Sequence, residues 1–214
     1  YPGDVHRVVQ GMDIVIQAAA TTSGAKEIVT KPYYHVTHNA VMNSLLLRAG
    51  YEHRVKHFLF FSCTVMYPDG LKQPDREEDF NGEIIDKYFG VGWTKVYVEK
   101  MCEFYSRIGL TKYTAIRHSN VYGPHDKLDL EKSHVFGAAV AKVMRAPEGG
   151  KIEVWGDGTE KRDFLYIDDL TSFLDKVLTM QRSKFDLVNA GSGELISVRS
   201  LHEKIIEQSG KSLR

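Results

Sequence analysis

Neither sign of charge is in surplus in this chain: 28 basic residues are balanced by 28 acidic ones. A broad nucleic-acid footprint needs a net positive field, so the reading contains no nucleic-acid partner. A local basic patch for a phosphorylated small molecule stays open. Cysteine is scarce too. Cys63 and Cys102 are too few for a disulfide framework and do not form a metal-ligand pattern. No stretch approaches eighteen uninterrupted apolar residues, and no signal-like run opens the chain, so the expectation is a cytoplasmic protein with no membrane partner and no metal. Internal repeats and low-complexity tracts are lacking as well.

What is present is the ordinary composition of a globular protein, 43% apolar and 26% charged, in one domain or one and a half. A short helix within 1–10 precedes a strand at 12–20. A helix starting at 30–32, with Pro32 tolerated in its first turn, runs to Gly50. Residues 58–64 read as a buried strand, 69–86 as a polar loop, and 90–108 as a long helix whose apolar face carries Val98, Met101, Cys102 and Tyr105. Gly109 is expected to close that helix in the left-handed conformation. A strand at 114–118 runs into an irregular segment, and Ser133 is expected to cap a helix at 134–144. The alternation at 151–155 predicts a half-buried strand, turned by 156–159. Residues 163–167 lead to Asp168, a good N-cap for a helix ending near Met180. A strand at 185–189 follows. Ser197 caps the last helix, which Gly210 closes.

Strands alternating with helices imply an α/β protein with a mainly parallel sheet covered on both faces. Ligands of such sheets sit beyond the carboxyl ends of the strands. The glycine-rich phosphate turn that should follow the first strand of a doubly wound sheet is missing from the 214 residues. The expectation is that two N-terminal βα units, about 30 residues each, lie outside this sequence, and that the chain is a fragment.

Four stretches carry a resemblance. A strand ending in Ser62-Cys63-Thr64 is followed by a helix with an inward Lys95, and then by Arg117-x-x-Asn120-x-Tyr122-Gly123-Pro124. Downstream, 155–164 spells W-G-x-G-x-x-x-R-x-F. This order resembles the extended short-chain dehydrogenase/reductase family, NAD-dependent epimerases and dehydratases, and within it nucleotide-sugar epimerase/reductases of the GDP-fucose synthase type. The resemblance implies a Rossmann-type domain from 1–121 and 163–189, and a smaller substrate-binding lobe from 122–162 and 190–214. It implies NAD or NADP held by Ala18, Ala19, Ala20, Asn39, Ser62, Lys95, His118, Ser119, Asn120 and Val121. It implies a nucleoside-diphosphate sugar met by Thr22, Asn120, His134, Trp155 and Arg162, and catalysis by Cys63, Thr64, Lys95 and His134. A homodimer built through a four-helix bundle of the 32–50 and 91–108 helices is implied as well.

The residue types suit those roles. Lysine supplies a charge that favours a neighbouring phenolate, and arginine's fork bonds two diphosphate oxygens at once. Histidine, with an ordinary pKa near 6.5, can give or take a proton at neutral pH. Two positions depart from the pattern. The family's Y-x-x-x-K reads Val91-Gly92-Trp93-Thr94-Lys95, so its tyrosine is a valine, and the epimerisation cysteine of fucose synthase relatives is Val65. The expected function is NAD(P)-dependent modification of a nucleotide-sugar. The alternative is a catalytically impaired homologue that binds cofactor or nucleotide-sugar as a regulatory or structural subunit.

Overall fold

The computed structural model describes residues 2–21, 30–67, 76–130, 133–154 and 156–213. Thr22 and Trp155, both expected to meet substrate, lie outside them. Two compact units emerge: one mainly from Tyr1–Thr22, Ile28–His118 and Thr171–Ala190, the other mainly from Ser119–Leu170 and Gly191–Arg214.

The first unit holds α1 (Pro2–Val9), β1 (Ile14–Gln17), α2 (Pro32–Glu52), β2 (His57–Phe61), α3 (Phe89–Ile108), β3 (Lys112–His118) and β6 (Phe185–Ala190). Its four strands form a parallel sheet in the order β1-β2-β3-β6. This is the Rossmann-type α/β arrangement expected from strands that alternate with helices. The core lies where α2 and α3 meet the sheet. Leu47, Phe58, Phe60, Val98, Cys102, Tyr113 and Ala115 are fully enclosed there, Phe58 stacking on Tyr113. Coverage is incomplete at β1, where Ile14 and Ile16 are each 46% exposed.

The second unit holds β4 (Asn120–Tyr122), α4 (Val135–Arg145), β5 (Lys161–Tyr166), β7 (Leu195–Ser197) and α6 (Val198–Ser209). The strands form a small mixed sheet, β4-β5-β7, parallel then antiparallel. Its core is Ala139, Phe164 and Leu201. Helix α5 (Ile167–Met180) joins β5 to β6 in sequence.

Several local expectations change. The strand at 12–20 shortens to Ile14–Gln17 because side chains replace the ladder beyond it. Ala19 donates to Gln17 Oε1 and accepts from Gln17 Nε2, and Thr21 N donates to Asn39 Oδ1. Gly109 is extended, φ −134°, rather than left-handed. A Cβ there would sit 2.8 Å from the Tyr51 ring, so glycine serves close packing. His134, not Ser133, is the N-cap of α4; the Ser133 hydroxyl donates instead to the Lys127 carbonyl. Residues 151–154 pair with no strand among the described residues. Asp168 lies inside the first turn of α5, which begins at Ile167. At α6 the expected caps are found: Ser197 Oγ accepts from Ser200 N at 3.0 Å, and Gly210 has φ +69°.

Candidate active site

In the first unit the residues of interest gather at the carboxyl ends of β1, β2, β3 and β6. Beyond β1, Ala18, Ala19 and Ala20 are exposed, a ledge of backbone with no side chain past Cβ. It is braced from below. Buried Gln17 donates to Asn43 Oδ1, Asn43 to the Asn39 carbonyl, and Asn39 Nδ2 to the carbonyls of Thr21 and His35. Asn39 is thus a buried brace rather than a surface residue.

At β2 the chain leaves the sheet at Phe61 and passes through Ser62, Cys63 and Thr64 to Tyr67. Lys95, on the inward face of α3, donates to the Phe61 carbonyl at 2.6 Å and lies 4.9 Å from the Phe60 ring centroid. Burial lowers the pKa of its ammonium, against the pull of Cys63 and Glu99. Burial pushes the Cys63 thiol up, only partly countered by Lys95, so Cys63 is a thiol at neutral pH. Val91 lies four residues before Lys95 in α3, half-buried, an inert side chain at the position the resemblance gives to a tyrosine. His118, at the end of β3, meets the Phe61 ring edge-on at 5.8 Å.

The heart of these strand ends is a buried ion pair to which the sequence reading assigned no role. Glu99 and Arg117 are each 3% exposed. Arg117 donates from Nε to Glu99 Oε1 at 3.0 Å and from Nη2 to Oε2 at 2.8 Å, a bidentate fork. Ser62 Oγ donates to the same Oε1 at 2.5 Å. Arg117 Nη1 donates to the Tyr67 hydroxyl at 2.9 Å and the Glu77 carbonyl at 3.1 Å, and Tyr67 donates onward to Asn189 Oδ1 at 2.7 Å. Asn189 N closes the circuit on Glu77 Oε1 at 2.5 Å. Burial works against the guanidinium charge, but the bonds to Glu99 outweigh it and hold the Arg117 pKa above its ordinary value. A signal was available: a lone arginine in the apolar run Thr114-Ala115-Ile116-Arg117, and a glutamate beside Val98 and Cys102 on the helix face turned to the core.

In the second unit the hub is Asp163, also missed. Its Oδ1 accepts from Ser119 Oγ at 2.6 Å and Ser192 N at 2.9 Å, and its Oδ2 accepts from Gly193 N at 2.8 Å. Asn120 Nδ2 donates to the Asp163 carbonyl at 3.1 Å. Val121 pairs with Leu165 in the small sheet. His134 is exposed at the start of α4. Arg162 is half-buried, its guanidinium on the Glu160 carboxylate and the Lys161 carbonyl. Among the described residues, no group of three or more histidine, cysteine or acidic side chains could hold a metal ion.

The chain is 32% identical over 192 residues to a GDP-L-fucose synthase of Sinorhizobium fredii (strain NBRC 101917 / NGR234), a match covering 87% of this chain and 60% of that protein. It is 27% identical over 202 residues to the GDP-L-colitose synthase of Yersinia pseudotuberculosis, covering 92% and 66%. The chain therefore spans 60–66% of the length of these curated relatives. Among solved structures, a GDP-6-OMe-4-keto-L-xylo-heptose reductase from C. jejuni shares the fold with TM-score 0.87 at 20% identity, over 100% of this chain and 74% of that one. The sequence profile of the NAD dependent epimerase/dehydratase family matches residues 2–191, and the chain belongs to that family.

Proposed function

We propose that the protein carries out NAD(P)-dependent modification of a nucleoside-diphosphate sugar, an epimerisation, reduction or oxidation at the sugar ring of the kind GDP-fucose synthases perform. The observation that carries this reading is Lys95, half-buried at the carboxyl end of β2 with its ammonium on the Phe61 carbonyl, in a chain of this family. The residues fit a dinucleotide. Ala18–Ala20 offer an exposed and braced backbone ledge for its close approach, Lys95 a charge for the ribose hydroxyls, and Ser62 and His118 lie at adjacent strand ends. Ser119, Asn120 and Val121 follow β3 directly. When bound, the dinucleotide supplies hydride transfer. The nucleotide-sugar is assigned to Asn120, His134 and Arg162, with Thr22 and Trp155 expected beside them. Arg162 would exchange the Glu160 carboxylate for the diphosphate, and His134, exposed, is free to reach a proton on the sugar.

The proton on the sugar oxygen is the hard part. Val91 cannot carry it, and Cys63, held as a thiol, is a weak donor, which leaves Thr64 and His134 among the residues assigned to catalysis. Loss of a positioned general acid/base removes roughly 10²–10⁴-fold in rate. Val91 therefore favours a second reading, a catalytically impaired homologue that still binds cofactor and nucleotide-sugar as a regulatory or structural subunit. The experiment is single-turnover absorbance of reduced nicotinamide on the full-length protein with a panel of keto-sugar nucleotides, wild type against Val91→Tyr. The new phenol would stand one turn from Lys95 and gain something on the order of 10²-fold. Binding of both ligands without hydride transfer in either protein would sink the enzyme reading and leave the second.

A homodimer belongs to the same proposal. Helices α2 and α3 pack together, leaving Tyr33, Val41, Phe89, Trp93, Tyr97 and Phe104 exposed. Two copies of this surface would cover one another as a four-helix bundle, and sedimentation of the full-length protein reads the oligomer directly.

A further inference from the structure

Two successive turns of α3 grip two successive residues at the end of β2. Lys95 holds the Phe61 carbonyl, and Glu99, one turn on, accepts the hydroxyl of Ser62. Glu99 is not placed to act as a base. Its two oxygens take three hydrogen bonds, two of them from a guanidinium, so both are already occupied. Its partner Arg117 reaches the other way, to the hydroxyl of Tyr67. One buried ion pair therefore fastens both ends of the segment Ser62–Tyr67, and the residues between include Cys63 and Thr64. Glu77 and Asn189 lock the Tyr67 end in turn.

We infer that Glu99 is a positioning residue: paired with Arg117, it fixes the 62–67 segment and so sets where Cys63 and Thr64 stand relative to Lys95. The inference rests on the proposed function for its catalytic meaning, while the geometry it describes does not depend on turnover. A side chain one ångström out of place can cost on the order of 10²-fold in rate, and with its hydroxyl released from the carboxylate Ser62 is held only by its backbone N–H on the Ile116 carbonyl. Glu99→Gln keeps the size of the side chain and removes the charge that orders the fork. Ser62→Ala unfastens one end without changing any charge.

The test uses the full-length protein and two readouts. Amide hydrogen exchange, followed by mass spectrometry, compares the peptide covering 62–67 with peptides from β3 and from the second half of α3. Steady-state kinetics on the keto-sugar nucleotide separates kcat from KM. In both variants, exchange over 62–67 is expected to speed by about tenfold more than in the β3 and α3 peptides. Those peptides keep their protection in Ser62→Ala and share a general loss in Glu99→Gln, where Arg117 is left unpaired. In both, kcat is expected to fall on the order of 10²-fold with KM within about threefold. Equal loss of protection across all peptides would make Glu99 a fold-wide stabiliser and overturn the inference. So would unchanged exchange over 62–67, or loosened exchange with kcat intact. A wild type without hydride transfer would defeat the proposed activity instead, and exchange alone would then decide whether Glu99 holds the segment.

Discussion

At the scale of single residues, the strand ends are governed by charge in a dry place. Breaking a buried ion pair from one side leaves an uncompensated charge and costs about 3–5 kcal/mol, whereas losing a hydrogen bond to a charged group costs about 1.5–3 kcal/mol. Arg117→Ala is therefore expected to destabilise more than Tyr67→Phe, which removes only the hydroxyl linking Arg117 to Asn189. Urea unfolding of both variants checks this, and equal midpoints would mean that Glu99 finds another partner. The same residues show why part of the site escaped the sequence. Lys95 was legible because it lies in a short spaced motif. Tyr67 and Asn189 stand 122 residues apart and Ser62 and Glu99 stand 37 apart, so no local spacing joins them. Asp163 was hidden differently: it sits inside the R-x-F block, where Arg162 drew the reading, yet it is the aspartate that binds the 191–193 turn.

At the scale of elements, sequence signals worked where the cause is local. Ser197 and Gly210 close α6 as their chemistry demands, a hydroxyl for a free N–H and a left-handed glycine. Gly109 misled because its reason is a neighbour's ring, which a linear pattern does not contain. The three-residue strands β4 and β7 are too short to show a period, and both exist through pairing with β5. Strand β2 opens on His57, 5% exposed, whose Nε2 lies 2.8 Å from the Thr114 hydroxyl. That hydroxyl donates to Gln181, so His57 is the donor and its Nε2 carries the proton. Burial lowers its pKa from the ordinary 6.5, with the Gln181 interaction opposing. The unfolded chain thus takes up this proton first as pH falls. The contribution of His57 to stability is whole above pH 6.5 and is lost as pH drops toward the folded value. His57→Gln should flatten that limb of a stability–pH curve measured by denaturant titration, and an unchanged limb would place the titrating group elsewhere.

At the scale of the molecule, the α/β class and the parallel sheet were legible because each strand and helix announces itself within its own residues. The division into two units was harder to read: the chain passes from one to the other between His118 and Ser119, inside a single motif. Arg117 serves the first unit's ion pair, while Asn120 serves Asp163 in the second. The most practical consequence lies at β1. Among the described strands it pairs only with β2, and its Ile14 and Ile16 are half-exposed. A strand in that position can add an extended chain, a second copy of this protein included. Light scattering of these 214 residues should then show growth with concentration beyond a dimer, and Ile16→Lys should suppress it at unchanged circular dichroism. Scattering that stays flat without the lysine would mean the edge is already shielded. For anyone expressing the protein, β1 is the strand to watch.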